Sequence, residues 1–281
     1  MPEGLQAAQL SRSFELLTAV MLAFGLAFKE DVDAGAERHR IAHELAGAEQ
    51  IQRALIPTTL PQKAGLDVAL RSEPARVVGG DYVDLLERPD GSLMFAIGDV
   101  SGKSIAAAII VSMVKHLIHG LVAVLGSDDL ALITRMANAI VYKDIETEVF
   151  VTLCLGTIDP QTRIVRFCNA GHVPPFIYRA AAHAIEELGE TGIVLGAVES
   201  YSYAEQRLQL ERGDSVLLVT DGLTEAFDGH GNQFGSERLT EILAAEHARS
   251  SNEIADIIYG AVLAFAHGEL HDDASLLALK L

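Results

Sequence analysis

Residues 60 to 281 consist mainly of short strand-like segments joined by short turns, and this feature restricts the fold more than any other. The turns RPDG, DPQT and ERGD each separate two such segments. Connections of this length join antiparallel neighbours, because a parallel pair needs a crossover of a dozen or more residues. Helix-like segments occur in clusters between the runs of strands, where they can cover the outer faces of sheets. The pattern predicts an α+β fold.

Apolar periodicity and turn residues place the individual elements. The predicted strands lie at residues 66–72, 82–87, 92–100, 149–159, 162–171, 176–179, 205–211, 215–222 and 273–281. The predicted helices lie at about 105–125, 128–143, 236–247 and 252–267. We therefore expect a single large domain over residues 59–281.

The first 58 residues have a different pattern and predict a helical appendage. An apolar helix is expected from residue 5 to about 30, and a second from 36 to 56. Apolar residues recur in the second helix every three or four positions, as a narrow stripe that suits a short coiled coil or a helix lying on a partner. Pro57 and Pro61 end it. Residues 1–58 are predicted to serve regulation or dimerisation.

Charge and composition limit the partners and the location. Twenty-one basic and thirty-nine acidic residues give a formal net charge of −18, which disfavours nucleic acid and anionic lipid as partners. The apolar segment 16–28 is shorter than the roughly 20 residues of a membrane-spanning helix. Cys154 and Cys168 lack metal-type spacing and are expected to be buried thiols in a reducing compartment. A cytoplasmic protein without membrane insertion is predicted.

The stretch GDVSGKSIAAA, residues 98–108, raises the question of a nucleotide-binding loop. Gly102, Lys103 and Ser104 match the end of the phosphate-binding motif, which also needs a glycine five residues before Gly102. That position is Ile97. The loop is one residue too short to wrap around a phosphate, so a nucleotide site is not expected.

Aspartates recur where an apolar strand meets a glycine-containing turn. They are Asp81 and Asp84 in VVGGDYVD, Asp99 in FAIGDVSG, Asp221 in LLVTDGLTE, and Asp272 and Asp273 in HDDASLLAL. For any one of them, a turn or a helix cap is the simpler interpretation. Several carboxylates gathered at one partly buried place need cations, and hard oxygen ligands suit Mg²⁺ or Mn²⁺. The repeated context favours a metal site, with Asp84 and Asp273 in supporting positions only.

Six ordered motifs carry a family resemblance. They are GGDYVD, GDVSGKSIAAA, NAGHVPPFIY, GIVLGAV, LLVTDGLTEAFD and HDDASLLAL. Together they resemble the metal-dependent protein phosphatases of the PPM (phosphatase 2C) superfamily, and most closely its bacterial SpoIIE/RsbU branch. The resemblance covers residues 60 to 281, and the preceding HELAGAEQIQRALIP is similar to the helical linker of that branch. It implies an α/β/β/α sandwich of two antiparallel sheets flanked by helices, here with an N-terminal helical appendage.

The resemblance also implies a catalytic site with two Mn²⁺ or Mg²⁺ ions. Asp99 would bridge both ions, and the Val100 carbonyl would be a further ligand. Asp221 and Asp272 would complete the first ion's shell. The remaining implied site residues are Asp81, which would hold the second ion mainly through water, and Arg76, which would bind phosphate. The match of Arg76 is positional, and a solvated arginine remains the alternative.

The implied reaction is single-step hydrolysis of a phosphoester by a metal-activated water. Eukaryotic relatives have the motif Asp-Gly-His-Gly, in which the aspartate is a metal ligand and the histidine is a candidate acid. This chain has Ser101 at the position of that histidine. His172 in NAGH either assists the reaction or makes a structural hydrogen bond. Ser104 replaces a glycine that is common in the branch.

The resemblance implies a protein serine/threonine phosphatase in bacterial stress-response signalling by partner switching. Its expected substrate is a phosphorylated anti-sigma-factor antagonist or a similar small regulatory protein. The alternative is a phosphatase-fold binding module that has lost turnover, which a metal-free or single-metal state would favour. The N-terminal helices would mediate homodimerisation or receive an activating partner.

Overall fold

The computed structural model describes Arg40, His43 and residues 46–50, 52–75, 77–102, 105–126, 129–146 and 148–281. Residues 49–281 form one compact unit. Its strands and helices are, in chain order, β1 (Asp67–Glu73), β2 (Asp81–Glu87), β3 (Leu93–Val100), α1 (Ile105–Leu125), α2 (Leu130–Asp144), β4 (Val151–Asp159), β5 (Ile164–Ala170), β6 (Phe176–Arg179), β7 (Ala184–Glu187), β8 (Gln206–Gln209), β9 (Ser215–Val219), α3 (Asp221–Thr224), α4 (Gly235–Ala245), α5 (Ser251–Phe265) and β10 (Ala274–Lys280).

The strands form two five-stranded sheets. The first has the order β1-β10-β9-β6-β7, and the second has the order β2-β3-β4-β5-β8. Every strand pair within these sheets is antiparallel. The pairing of β1 with β10 joins the first and last strands of the compact unit, with Asp67 opposite Lys280.

Three hydrophobic clusters show that the unit is layered. One lies between the second sheet and helices α1 and α2, and another between the first sheet and helices α4 and α5. The third contains residues from both sheets, including Val83 and Ile97 from one and Leu218 and Leu277 from the other. The architecture is therefore the expected α/β/β/α sandwich of two antiparallel sheets.

Strand periodicity explains how one strand serves two layers. In β3, Met94 and Ala96 belong to the helix-facing cluster, whereas Phe95 and Ile97 belong to the cluster between the sheets. Successive side chains of a strand point to opposite faces, so a strand that is buried on both sides is apolar at almost every position. This is why β3 appears in the sequence as a nearly continuous apolar run.

Most predicted elements are present with small shifts at their ends, and three of the differences have a local cause. Strand β7 was not predicted, because its sequence AIEE is short, polar and partly exposed. The strand expected to run to residue 222 ends at Val219, and Asp221 instead begins the one-turn helix α3. Helix α2 begins at Leu130, because the side chain of Asp129 caps it by accepting a hydrogen bond from Leu132 N at 2.8 Å.

Helix α1 is long and apolar enough to cross a membrane by length and composition alone. Its buried residues include Val111, Val114 and Ile118, which belong to the cluster against the second sheet. Core helices pass the same composition test, so this feature is weak support for a membrane span. Cys154 and Cys168 are buried free thiols, as predicted, and burial raises the pKa of both.

The predicted N-terminal helices fall mostly outside the described residues. Residues 46–50 and 52–53 are helical, within the second of those helices. The apolar segment 16–28 is not among the described residues. The domain boundary at residues 58 and 59 stays a prediction.

Candidate active site

Strands β2 and β3 bring the first two predicted site residues together. Asp81 is the first residue of β2, Asp99 is the penultimate residue of β3, and the two are direct cross-strand partners. Both lie at the same end of the second sheet, opposite the β2–β3 turn. The sequence motifs GGD and GDV therefore meet at one edge.

The other predicted carboxylates come from the first sheet. Asp221 follows β9, and Asp272 and Asp273 precede β10, which is the neighbour of β9 in that sheet. A hydrogen bond of 3.0 Å from Thr220 N to Ser275 O ties these two segments together. The site is thus built from the ends of both sheets.

The electrostatics of Asp99 show that these carboxylates share one neighbourhood. Burial raises the pKa of Asp99 to about 7, and the carboxylates of Asp221, Asp272 and Asp273 add to the shift. Each of these neighbours makes ionisation of Asp99 harder, because like charges at short range repel in a low dielectric. The cluster favours either bound protons or bound cations.

Asp81 is in a similar but more enclosed position. Burial raises the pKa of Asp81 well above its ordinary value, and the carboxylates of Asp99 and Asp273 add to this effect. Hydrogen bonds from Ser275 and Thr220 oppose it, with the Thr220 hydroxyl donating to Asp81 Oδ2 at 2.9 Å. Two hydroxyl groups therefore orient this carboxylate.

Asp273 holds the loop that leads into β2. Its buried carboxylate accepts hydrogen bonds from Ala75 N at 2.8 Å and from Gly80 N at 2.5 Å. The sequence expectation of a supporting position agrees with this geometry. The carboxylate fixes the backbone immediately before Asp81.

Two predicted ligand oxygens converge beside Gly80. A Cβ atom on Gly80 would lie 2.8 Å from the Val100 carbonyl oxygen and 2.9 Å from Asp99 Oδ1. A side chain at this position would therefore occupy the space that the two oxygens face. The same backbone is held by a hydrogen bond of 3.0 Å from Val100 N to Gly80 O.

Asp84 lies on the other face of β2, away from this cluster. Its buried carboxylate pairs with Lys115 Nζ at 2.8 Å and also contacts His119 Nε2, both on α1. The expectation that Asp84 supports the metal site is wrong. Positions 81 and 84 differ by an odd number of residues, so a strand places them on opposite faces.

Several features of the prediction cannot be placed. Arg76, Lys103 and Ser104 are outside the described residues.

Within the described part of the chain, no group of three or more His, Cys, Asp or Glu side chains is already arranged as a metal-binding cluster. The carboxylates form an electrostatic cluster of oxygen donors and not a closed coordination shell. Repulsion between uncompensated carboxylates favours such a spread arrangement.

His172 makes the structural hydrogen bond that the sequence left as one alternative. It is 2% exposed, and burial lowers its pKa to about 4, so the ring is neutral at physiological pH. Its Nδ1 atom lies 2.9 Å from Thr152 Oγ1. A buried neutral ring is not positioned to give a proton to a leaving group in solvent.

Sequence reasoning missed four polar residues around the site. These are Gln52, Thr152, Thr220 and Ser275. The sequence offered a signal for Thr220, because this residue directly precedes the predicted ligand Asp221. The side chain of Gln52 makes two hydrogen bonds to the backbone of Gly79. Its Nε2 donates to Gly79 O, and its Oε1 accepts from Gly79 N at 2.8 Å. Nothing in the local sequence links residues 52 and 79.

Comparison with known proteins gives a consistent result. The family model of stage II sporulation protein E (SpoIIE) matches residues 89–281. The phosphoserine phosphatase RsbU of Bacillus subtilis (strain 168) is 30% identical over 269 residues, which cover 95% of this chain and 79% of RsbU.

Three solved structures show the same fold. The SiaA-PP2C domain of Pseudomonas aeruginosa superposes with a TM-score of 0.76 at 22% identity, covering 88% of this chain and 99% of that domain. The RsbU and RsbW domains of a Mycobacterium tuberculosis protein give 0.68 at 23% identity, with coverage of 78% and 61%. The catalytic domain of the serine/threonine phosphatase PstP, in complex with two manganese ions, gives 0.56 at 16% identity, with coverage of 76% and 97%.

Proposed function

This chain belongs to the SpoIIE family and is a protein serine/threonine phosphatase of the PPM superfamily, and we propose that it uses a metal-activated water to hydrolyse phosphoserine or phosphothreonine on a small regulatory protein. One observation of the structure carries the proposal. Asp81 and Asp99 from one sheet meet Asp221, Asp272 and Asp273 from the other, and burial, together with repulsion from Asp221, Asp272 and Asp273, raises the pKa of Asp99 to about 7.

The donor set fits hard divalent cations. All of the converging groups are carboxylate or carbonyl oxygens, which Mg²⁺ and Mn²⁺ prefer. Gly80 leaves open the space that Asp99 Oδ1 and the Val100 carbonyl face. We assign Asp99, Val100, Asp221 and Asp272 as ligands and Asp81 as a ligand through water. PstP, a relative in fold, carries two manganese ions, which supports two ions here.

When bound, two such cations lower the pKa of a water molecule and neutralise charge on the phosphoryl group. The residues of this chain supply the positioning. Asp99 and Asp81 would hold the ions, and Thr220 holds the Asp81 carboxylate in place. Arg76 is proposed to bind the phosphoryl oxygens. His172 is buried and neutral, so it is not assigned as the acid.

The substrate proposal follows from the relatives. RsbU is described as a phosphoserine phosphatase, and a Mycobacterium tuberculosis relative joins RsbU and RsbW domains. We propose a phosphorylated regulatory protein of the anti-sigma-factor antagonist type as substrate, within a cytoplasmic partner-switching pathway. We further propose that the N-terminal helices dimerise or bind an activator. A binding module without turnover has no structural observation in its favour.

Hydrolysis assays test the proposal directly. The substrates are p-nitrophenyl phosphate and a phosphoserine peptide, assayed with EDTA, Mg²⁺ or Mn²⁺. We expect metal-dependent turnover in the wild type and a loss of at least about 100-fold in Asp99→Asn, because one bridging ligand loses its charge. Asp256→Asn is the matched control, since its carboxylate is exposed on α5 and pairs with Arg71.

Absence of turnover with either metal in a folded protein would contradict the phosphatase proposal, provided that a candidate activating partner does not restore activity. Turnover that survives in Asp99→Asn would contradict the ligand assignment alone. The two results therefore separate the reaction from the site.

A further inference from the structure

A chain of hydrogen bonds links Asp99 through Thr152 to the buried His172. Thr152 is the cross-strand partner of Asp99 in the β3–β4 pair. The backbone N–H of Asp99 donates to Thr152 Oγ1 at 3.0 Å, and the same hydroxyl lies 2.9 Å from Nδ1 of His172. Three residues from separate parts of the sequence thus form one linear network.

The donors and acceptors in this network can be assigned. Thr152 has a single hydroxyl proton, and its oxygen already accepts from Asp99 N. The proton can point to His172 Nδ1 at 2.9 Å or to Asp99 O at 3.4 Å, and the shorter contact is the better hydrogen bond. Nδ1 is then the acceptor, and the ring carries its proton on Nε2. This tautomer is assigned from the geometry of the network.

The backbone of His172 is held by two hydrogen bonds. Asn169 accepts from His172 N at 2.8 Å and donates to His172 O at 3.0 Å, and both residues are almost completely buried. In the part of the chain that the structure describes, Nε2 is buried and makes no hydrogen bond of ordinary geometry, although the backbone of Val219 favours a proton on the ring. The one well-formed side-chain contact of the ring is therefore its contact with Thr152.

We propose that His172 is a positioning residue that acts through Thr152 to fix the backbone, and hence the carboxylate direction, of Asp99. The inference rests on the proposed metal-dependent reaction. His172 does not touch the substrate, because it follows β5, reaches Asp99 only through Thr152 on β4, and is 2% exposed. Groups that orient a ligand from behind tune metal affinity without contacting the ion.

Thr152→Val and Thr152→Ser make a matched pair for the test. Valine keeps the shape of threonine and removes the hydroxyl, whereas serine keeps the hydroxyl. The measurements on the full chain are Mn²⁺ affinity by titration calorimetry, kcat and KM for p-nitrophenyl phosphate, and the unfolding temperature in EDTA. We expect Thr152→Val to weaken Mn²⁺ binding by about 10-fold or more and to lower kcat. KM should change by less than about twofold, and Thr152→Ser should resemble the wild type.

A double-mutant cycle tests whether His172 acts through Thr152. His172→Asn is used because an amide group can take the place of Nδ1, and His172→Leu removes the acceptor. We expect His172→Asn to retain more Mn²⁺ affinity than His172→Leu. The double variant with His172→Leu and Thr152→Val should bind Mn²⁺ no more weakly than the more affected of the two single variants.

Wild-type Mn²⁺ affinity and kcat in Thr152→Val would overturn the inference, as would additive losses in the double variant. If His172→Leu does not fold, the Thr152 pair and His172→Asn still decide the result. A wild-type protein that binds no Mn²⁺ and shows no metal-dependent turnover would overturn the proposed function itself. An active wild type with unaffected variants would overturn only the positioning role.

Discussion

At the scale of single residues, Asp99 is a carboxylate whose burial opposes its charge. Its pKa of about 7 means that the folded, metal-free protein holds a proton on this group where the unfolded chain has lost it. The unfolded pKa lies near 3.8. The folded state therefore binds more protons than the unfolded state between these two values.

This difference predicts that the metal-free protein loses stability as the pH rises from about 4 to about 8. Linkage gives at most about 4 kcal/mol of lost unfolding free energy from Asp99 alone. Denaturation in EDTA at several pH values measures it. Asp99→Asn should be more stable at pH 8 and should show a flatter profile. An unchanged profile in this variant would show that Asp99 is not the titrating group.

Gly80 is a second residue whose chemistry is set by its surroundings. We predict that Gly80→Ala lowers Mn²⁺ affinity and turnover by about 10-fold or more, because the new Cβ would lie within 2.9 Å of two proposed ligand oxygens. Calorimetric titration with Mn²⁺ measures the first effect, and hydrolysis of p-nitrophenyl phosphate measures the second.

Gly120→Ala is the control for this substitution, since nothing lies within 4 Å of its Cβ position on α1. It should keep full activity and gain up to about 1 kcal/mol of stability from helix propensity. Equal losses of activity in both glycine variants would contradict the role of the space beside Gly80.

At the scale of elements, the helical residues just before β1 contact the loop that leads into β2. The two hydrogen bonds between Gln52 and Gly79 fix the residue next to Gly80. We predict that Gln52→Ala reduces kcat several-fold, because the loop backbone before Asp81 loses two partners. Arg53→Ala, at a side chain that is 68% exposed, should leave kcat unchanged. Equal kcat values for Gln52→Ala and wild type would show that the loop is held without Gln52.

Helix α1 is fixed to the second sheet by a buried ion pair. Lys115 Nζ contacts Asp84 and also donates to Leu55 O at 2.6 Å. Lys115→Met should cost about 3 kcal/mol of unfolding free energy, because it leaves a buried carboxylate without its main partner. Chemical denaturation measures the loss, with the exposed His116→Ala as the control. A loss below about 1 kcal/mol would mean that the remaining partners of Asp84, which include His119 and Tyr82, are enough to stabilise its carboxylate.

At the scale of the whole molecule, the proposed metal site joins the two sheets. Asp81 and Asp99 belong to one sheet. Asp221 follows strand β9 of the other sheet, and Asp272 precedes strand β10 of that sheet. A cation bound between them would stabilise the folded state by mass action, about 2.7 kcal/mol for one site at 100 times its Kd.

We therefore predict that saturating Mn²⁺ raises the unfolding temperature by roughly 5 to 10 °C at neutral pH. Thermal unfolding with and without EDTA measures this shift. Asp99→Asn should lose most of it, whereas Asp256→Asn should retain it. A shift of the same size in Asp99→Asn would place the ion elsewhere.

The sequence by itself determined the class of fold and the identity of the acidic cluster. Short turns required antiparallel neighbours, and alternating apolar residues assigned strand faces, so local patterns indicated an α+β fold. The two-sheet sandwich was implied by the resemblance to the PPM phosphatases. Aspartates directly after or before apolar strands marked the edge of the sheets. The two-residue period of a strand could also have shown that Asp84 and Asp81 lie on opposite faces, although their shared motif suggested one common site.

Only the tertiary structure decided which strands meet across long connections. The pairing of Asp99 with Thr152 spans two helices, and that of β1 with β10 spans about two hundred residues. Local sequence fixes the face of a side chain but not its register against a distant strand, because register depends on how the layers pack. For this reason Gln52, Thr152 and Ser275, which orient the proposed ligands, could be found only once the sheets were assembled.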